Sequence, residues 1–143
     1  MARFVLTRRS PLPPADCWER LTSWPRHGER VPFTRVTVAR GTGRAVGDVV
    51  LARTTVGPLH FDDPMEIVEL IAPAPGRDGR CRLVKRGRPV RGGAVLLVRA
   101  VAGGSEAVWA EELRIAGLPR FADPLLAAAG RLVFGRVLAR LLR

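Results

Sequence analysis

Hydrophobic and polar positions at the start of the chain predict one strand followed by short helices. Residues 2–10, ARFVLTRRS, have a strand-like pattern that ends at the prolines of SPLPP. Pro14 suits the first turn of a helix, where its missing N–H is no loss. Apolar side chains then recur three positions apart, which predicts a short amphipathic helix over residues 14–24 that Pro25 ends. Residues 26–32 form at most one further helical turn.

The middle of the chain has the pattern of an antiparallel sheet. Its β-branched, alternating segments predict six strands, at residues 33–40, 48–56, 65–72, 80–86, 93–101 and 106–115. Glycine- and proline-rich turns separate the segments, and short connections join antiparallel neighbours. The stretch GPLHFDDP, residues 57–64, is predicted to break the second of these strands from the third, as a turn with its acids in solvent.

The last twenty residues, PLLAAAGRLVFGRVLARLLR (124–143), have the spacing of a long amphipathic helix. At 100° per residue, one face carries Leu126, Gly130, Val133, Phe134, Val137 and Leu141, and the opposite face carries Arg136, Arg140 and Arg143. A seven-stranded antiparallel sheet has to cover its apolar face, and this helix is the long apolar element available to cover it. The sequence therefore predicts one α+β domain over residues 1–143.

Gly130 has two interpretations. Glycine inside a helix costs about 1 kcal/mol relative to alanine, and the AAAG segment at residues 127–130 is small throughout. A slim helix start would leave a hollow, and because a void destabilises a core, such a hollow suggests space kept for a ligand. Alternatively, the glycine allows close packing of the helix on the sheet.

The charge of the chain does not by itself indicate a nucleic-acid partner. The formal net charge is +11, which at first suggests nucleic acid or an anionic membrane. However, the basic residues are 23 arginines and one lysine, spread through a chain rich in Ala, Val, Gly, Leu and Pro, as a GC-rich genome would encode. A nucleic-acid site would favour one continuous patch with stacking aromatics, and the chain has no tyrosine.

The sequence also predicts the cellular compartment of the protein. No stretch approaches the ~20 apolar residues needed to span a bilayer, and the first residues lack the apolar core of a signal peptide. Cys17 and Cys81 are too few for a disulfide framework and lack metal-ligand spacing. We therefore expect a cytoplasmic protein with two reduced thiols.

The order of elements resembles the START/birch-pollen-allergen superfamily, also called SRPBCC, and is most similar to its bacterial polyketide cyclase/dehydrase-like members. The stretches that carry the resemblance span nearly the whole chain: SPLPPADCWERLTSWPRHGERVP, GRAVGDVV, MEIVELIAPAPG, GGSEAVWAEELRI and DPLLAAAGRLVFGRVLARLLR. The resemblance implies the helix-grip fold, in which a curved antiparallel sheet wraps around a long C-terminal helix and encloses an elongated apolar cavity. Members bind lipids, polyketides or other hydrophobic molecules, and a subset catalyse cyclisation or dehydration. No universal catalytic motif exists to carry over, and a fold does not define an activity.

Glu111 is the candidate polar group inside such a cavity. In EAVWAEELRI, the more apolar face carries Ala107, Trp109, Glu111, Leu113 and Ile115, so this face should point inward. A buried carboxylate needs hydrogen bonds or a cation, or its pKa rises. Glu111 is therefore either an acid–base or ligand-holding group, or one half of an ion pair at the cavity rim. The candidate cations are Arg53, Lys85 and Arg99.

The histidines and the adjacent aspartates do not form a predicted metal site. Asp62 and Asp63 would point to opposite faces of a strand, and His60 with Asp62 would supply too few ligands for tight binding. His27, at a helix end, is expected near the cavity mouth together with Trp24. We predict no metal and no cofactor.

These observations favour a protein that binds a hydrophobic or amphipathic small molecule, such as a lipid or polyketide, in an internal cavity. The residues predicted to contact the ligand are Trp24, Arg53, Lys85, Trp109, Glu111, Leu126, Gly130, Val133, Phe134 and Val137. One alternative is a polyketide cyclase/dehydratase-type enzyme that uses Glu111 as acid or base. Another is a basic interaction module that meets an acidic partner.

Overall fold

The computed structural model describes residues 1–29 and 31–143, and within them the predicted order of elements is present. The strands are β1 (Ala2–Ser10), β2 (Thr34–Arg40), β3 (Val49–Val56), β4 (Leu59–Ile71), β5 (Gly79–Lys85), β6 (Val90–Val101) and β7 (Gly104–Ile115). The helices are α1 (Pro14–Leu21), α2 (Trp24–His27) and α3 (Asp123–Leu141), the last preceded by a single 3-10 turn at Arg120–Ala122.

The seven strands form one antiparallel sheet in the order β1-β7-β6-β5-β4-β3-β2. Strands β2 to β7 follow one another as a meander, because each short turn returns the chain beside the strand it has just left. The first strand then pairs with the last, from Ala2 opposite Leu113 to Ser10 opposite Ser105. This arrangement confirms the predicted fold class: a curved sheet, short helices after the first strand and a long C-terminal helix.

Alternation along the strands gives the sheet a concave, buried face and a convex, solvated face. Val50, Ile67, Cys81 and Leu96 are fully buried on the concave side. The helix α3 packs there through Val137, Leu138 and Leu141. Arg136, Arg140 and Arg143 are exposed, as the helical spacing predicted, and Arg131 is exposed as well. None of the described helices is long and apolar enough to cross a membrane.

Gly130 packs tightly, so the interpretation of it as the wall of a hollow is wrong. A Cβ at this position would overlap the Phe4 ring of β1. That ring is itself stacked on Phe134, with 5.7 Å between centroids. The glycine is therefore the point at which the helix and the first strand approach most closely, in agreement with the second interpretation.

The strand β4 begins at Leu59, so the prediction of a break over residues 57–64 is wrong for most of that segment. Its first half is paired with β3 throughout, from Leu59 opposite Val56 to Glu66 opposite Val49. Pro64 has no N–H to donate, and its ring nitrogen and carbonyl both face the β5 side of the strand. Because β5 ends at Lys85, opposite Met65, no residue of β5 lies opposite Pro64 to need that N–H, and the strand tolerates the proline. Consequently Asp62 and Asp63 lie on opposite faces of a strand rather than in a turn.

Candidate functional site

A cavity of about 180 Å³ lies between the concave face of the sheet and the helices. Most of its wall is apolar and comes from the central strands, for example Val36, Val50, Leu83, Ala94 and Leu96. The helices α2 and α3 close it with Trp24, His27 and Phe134. A wider groove of about 950 Å³ lies on the convex side of β2 and β3, but it is open to solvent, and the described residues that line it include no buried ionisable group. The enclosed cavity is therefore the candidate site.

Aromatic rings form one continuous wall of the cavity. Successive centroids are 5.2 Å apart for Trp24 and His27, 5.3 Å for His27 and Trp109, and 5.1 Å for Trp109 and Phe134. Polar contacts fix the two indoles: Trp24 Nε1 donates to the Gly43 carbonyl at 2.8 Å, and Trp109 Nε1 donates to Glu111 Oε2 at 2.9 Å. The glycine-rich segment before β3 thus positions a cavity side chain. Pairs of rings at these separations are stabilising beyond the area that they bury.

His27 is a neutral ring within this wall. Its Nε2 lies 2.6 Å from the Leu21 carbonyl oxygen. A carbonyl oxygen only accepts, so Nε2 carries the hydrogen and Nδ1 is left as an acceptor. Burial lowers the pKa of His27 to about 4, and the bond to Leu21 opposes that shift only in part. None of the side-chain hydrogen bonds among the described residues uses Nδ1.

Three ionisable side chains meet at one end of the cavity, a group that we call the Lys85 cluster: Asp63, Lys85 and Glu111. Lys85 Nζ lies 2.6 Å from Asp63 Oδ2 and 3.3 Å from Glu111 Oε1. The exposed fraction of the side chain is 4% for Lys85 and 5% for Glu111. Nζ also lies 3.6 Å from Met65 Sδ. The ammonium of Lys85 is thus shared between two carboxylates in an almost dry environment.

Small residues on β6 allow this cluster to form. Lys85 is on β5 and Glu111 is on β7, so β6 runs between them. On the concave side β6 presents positions 92 and 94, which are Gly92 and Ala94. A Cβ on Gly92 would overlap the Glu112 backbone, and its φ of 128° is one that side-chain-bearing residues rarely adopt. The long Lys85 and Glu111 side chains can therefore reach each other across the middle strand.

The cluster contains one more negative group than positive. Burial raises the pKa of Glu111, and the nearby Lys85 charge offsets this only partly. Burial likewise raises the pKa of Asp63, whose Oδ1 is buried without a hydrogen-bond partner among the described residues. Burial alone would lower the pKa of Lys85, but the charges of Glu111 and Asp63 outweigh it and the net shift is upward. Lys85 therefore stays cationic, and the two acids compete for it.

Five of the predicted ligand-contacting residues lie in the cavity wall: Trp24, Lys85, Trp109, Glu111 and Phe134. Leu126, Gly130, Val133 and Val137 do not line it: Gly130 and Val137 are buried against the sheet or within the core, and Leu126 and Val133 are half-buried outside the cavity. The sequence placed Asp63 in an exposed turn and missed it as a site residue. Its signal was the alternation of Asp63, Met65 and Ile67 on one face of β4.

Two of the three candidate cations for Glu111 are wrong. Arg53 lies on the convex face, where Nε and Nη2 donate to Asp62 at 2.6 and 2.8 Å. Arg99 pairs with Glu106, also away from the cavity. His60 is exposed on β4 and does not reach the cavity. Among the described residues, no group of three or more His, Cys, Asp or Glu side chains could hold a metal ion.

Comparisons with known proteins place this geometry in a structural class. No protein-family model matches the sequence, and no curated protein matches it either. Solved structures are similar over nearly the full chain. The structure of Ara h 8.0201 is 15% identical with a TM-score of 0.63, covering 98% of this chain and 97% of that one. A protein from Chromobacterium violaceum is 15% identical with a TM-score of 0.66, covering 99% and 98%.

A third similar structure is the polyketide-cyclase-like protein Cgl2372 from Corynebacterium glutamicum. It is 14% identical, with a TM-score of 0.60, and the match covers 99% of this chain and 89% of that one. The class that the sheet, the helix and the enclosed cavity define is that of helix-grip proteins. The helix-grip fold that the resemblance implied is thereby confirmed.

Proposed function

We propose that this protein binds a small amphipathic molecule in the cavity between its sheet and its C-terminal helix. The observation that carries the proposal is an apolar, aromatic-walled cavity with one buried charged cluster at its end. Apolar burial supplies the binding free energy in such sites, and a few fixed polar groups set the orientation. Here Trp24, Trp109 and Phe134 would contact the apolar part, and the Lys85 cluster would hold the polar part.

The volume limits the size of the ligand. A cavity of about 150 Å³ lined by apolar side chains holds one benzene molecule, and this one measures about 180 Å³. A single ring with a short substituent fits, whereas a two-chain lipid does not. A longer lipid or polyketide would have to leave most of its length outside. We therefore narrow the predicted lipid or polyketide to a ring-sized molecule, or to the ring-sized end of a larger one.

A reducing compartment is consistent with this proposal. Cys17 and Cys81 are both free and buried, and burial raises the pKa of the Cys81 thiol to about 12. Such a thiol is a poor nucleophile and serves as a small apolar side chain. We propose a cytoplasmic location on this basis.

Uptake of apolar probes tests the binding proposal directly. Toluene titrated into the protein should change the fluorescence of Trp24 and Trp109, which line the cavity. Ala52→Leu should abolish the response, because Ala52 lines the cavity and the added side chain fills it. Ala110→Leu is the matched control, since Ala110 lines a different pocket on the opposite side of the sheet. An equal toluene response in all three proteins, or none in the wild type, would contradict the proposal.

A second candidate function is proton-transfer catalysis of the cyclase/dehydratase type. The observation that favours it is a carboxyl group with a raised pKa, Glu111, beside a cation in a cavity wall. A carboxyl group with a raised pKa holds its proton more strongly and can pass it to a bound substrate. Exchange of the α-hydrogens of phenylacetone in heavy water, followed by NMR, would detect it. The wild type should accelerate the exchange and Glu111→Gln should not; equal rates would remove Glu111 from this role.

A further inference from the structure

The polar groups of the cavity are mostly hydrogen-bond acceptors. Asp63 and Glu111 contribute carboxylates, and His27 contributes the unprotonated Nδ1. The cation among the described lining residues, Lys85, is already engaged by both carboxylates, at 2.6 and 3.3 Å. At the other end, the Thr34 and Thr54 hydroxyls lie 2.8 Å apart and bond to each other. A ligand therefore meets mostly acceptors, and one of them, Asp63 Oδ1, has no hydrogen-bond donor among the described residues.

The net charge of the Lys85 cluster also favours a ligand that carries positive charge and donates hydrogen bonds. With Lys85 protonated and both acids ionised, the cluster carries a net charge of about −1 in nearly dry surroundings, which is costly. Burial accordingly raises the pKa of both Glu111 and Asp63, so each acid holds its proton more strongly than it would in water. An anionic ligand would add to the excess negative charge. A cationic ligand would compensate it.

The aromatic wall also favours a cation. A cation over the face of a tryptophan or phenylalanine ring is attracted by the ring quadrupole, most strongly where water is excluded. Trp109 is buried beside the cluster, and its Nε1 donates to Glu111. This bond places the carboxylate at the N–H edge of the Trp109 ring, so a cation that contacts the carboxylate gains this attraction where it extends over the ring face.

We propose that the cavity selects ring-sized apolar ligands that carry a protonated amine or another cationic nitrogen donor. The inference rests on the proposed function, because it presupposes that small apolar molecules enter the cavity. The ammonium contacts the carboxylates of the Lys85 cluster, and the ring contacts Trp24, Trp109 and Phe134. Because a bound ammonium favours the ionised acids, any proton that they hold passes to solvent when the amine binds.

No other described ionisable group reaches the cluster to change this balance. The ionisable residues that share the cavity wall with Glu111 are Asp63 on β4, Lys85 on β5 and His27 on α2. The strand β6 and the helix α3 face it with Ala94 and Phe134, which do not titrate. Because burial lowers the pKa of His27 to about 4, this ring is uncharged near neutral pH and does not repel a cation.

Four probes of matched size test the selection on the full chain at pH 7.5: benzylamine, benzyl alcohol, toluene and benzoate. Tryptophan fluorescence gives the affinities, and calorimetry in two buffers of different ionisation enthalpy gives the number of protons released. We expect benzylamine to bind at least tenfold more tightly than toluene and benzoate to bind most weakly. Glu111→Gln should reduce the affinity for benzylamine at least tenfold more than it changes the affinity for toluene, and a wild-type-like circular dichroism spectrum shows that the variant is folded. Asp62→Asn, which removes the neighbouring carboxylate on the convex face, should change neither affinity.

The outcomes separate the two proposals. If toluene binds but benzylamine binds no more tightly, the charge selection is wrong and the cavity still binds apolar molecules. If benzoate binds most tightly, Lys85 rather than the acids defines the selection, and the inference is overturned. If none of the four probes binds, both the inference and the proposed function fail.

Discussion

The two faces of the sheet hold charge in opposite ways. On the convex face, several arginines pair with exposed acids: Arg53 with Asp62, whose side chains are 51% and 37% exposed, and Arg3 with Glu112, at 72% and 50%. Even the less exposed Glu106 of that face is paired with two arginines whose own side chains are in solvent. On the concave face, the chain's single lysine is 4% exposed and shared by two acids. Solvent screens the first kind of pair, which contributes little to stability. In the buried cluster, each charge offsets part of the free-energy cost of removing the other charges from water.

The comparison shows why the large net charge is a poor guide to function in this protein. Most of the +11 belongs to arginines, and several of these form ion pairs with acids at the surface. The charge that shapes the cavity is one ammonium. A compact ammonium with three donors can serve two carboxylates and a thioether together. The planar guanidinium group matches a single carboxylate, which is how Arg53 binds Asp62 with two parallel bonds.

Removal of the buried cation should have the largest effect on stability. Lys85→Met leaves Asp63 and Glu111 unpaired in apolar surroundings, and loss of one partner of a buried ion pair costs about 3–5 kcal/mol. The free energy of unfolding, measured with denaturant at pH 7.5, should fall by that amount. The loss should shrink as the pH falls, because the two acids, whose pKa values burial raises, become protonated and no longer need the cation.

Arg53→Met provides the matched control on the convex face. The substitution is chemically similar, and it also leaves an acid without its partner, but Asp62 remains in contact with water. Its effect on unfolding should be close to the experimental error. Equal losses for the two variants would show that the concave face does not exclude solvent as the structure indicates.

Acid should destabilise the protein through His27. Burial lowers its pKa from 6.5 to about 4, so between these values the unfolded chain binds a proton that the folded chain does not. Stability from this group is complete above pH 6.5 and is lost as the pH falls towards 4, by up to about 3 kcal/mol. The raised pKa values of Glu111 and Asp63 act in the opposite direction, because in those groups the folded chain holds the extra proton.

The comparison with His27→Gln isolates this contribution. The two acids and the exposed His60 are present in both proteins, so the difference in unfolding free energy between wild type and variant reports His27 alone. That difference should decrease steadily from pH 6.5 to 4.5. A constant difference over this range would mean that the ring is solvated.

The helix α3 contains one glycine in close contact with the sheet, Gly130, and one with open space beside it, Gly135. Gly130→Ala places a methyl group against the Phe4 ring, and overpacking of this kind costs about 1–3 kcal/mol. The gain in helix propensity, about 1 kcal/mol, offsets only part of that cost. The net loss should be up to about 2 kcal/mol by thermal or denaturant unfolding.

Gly135→Ala should have the opposite sign. A Cβ there meets nothing within 4 Å, so only the propensity gain of about 0.5–1 kcal/mol remains. If both variants were stabilised, Phe4 and Phe134 would have room to move, and the close approach of α3 to β1 would be looser than described.

The sequence predicted the fold well because the fold follows from local pattern. Alternation identified the strands, and the helical spacing of the last twenty residues identified the one element able to cover the sheet. Alternation also oriented Trp109 and Glu111 correctly. Asp63 was missed because a proline next to two acids is typical of a turn, and only the end of β5 at Lys85 explains why a strand tolerates it. Gly130 could not be interpreted alone, since the residue opposite it, Phe4, comes from the other end of the chain.

The adjacent aspartates test the difference in solvent exposure between the two faces through the smallest expected effect, the change in stability with salt. Asp62 and Asp63 are neighbours in β4 but face Arg53 outside and Lys85 inside. Salt at 0.5 M shortens the Debye length to about 4 Å, which screens exposed pairs but hardly affects buried ones. The change in unfolding free energy caused by Asp62→Asn should therefore be small at low salt and vanish at 0.5 M. The change caused by Asp63→Asn should be the same at both salt concentrations. If the effect of Asp63→Asn also vanished, the Lys85 cluster would have to be in contact with bulk solvent, and the comparison between the two faces would no longer hold.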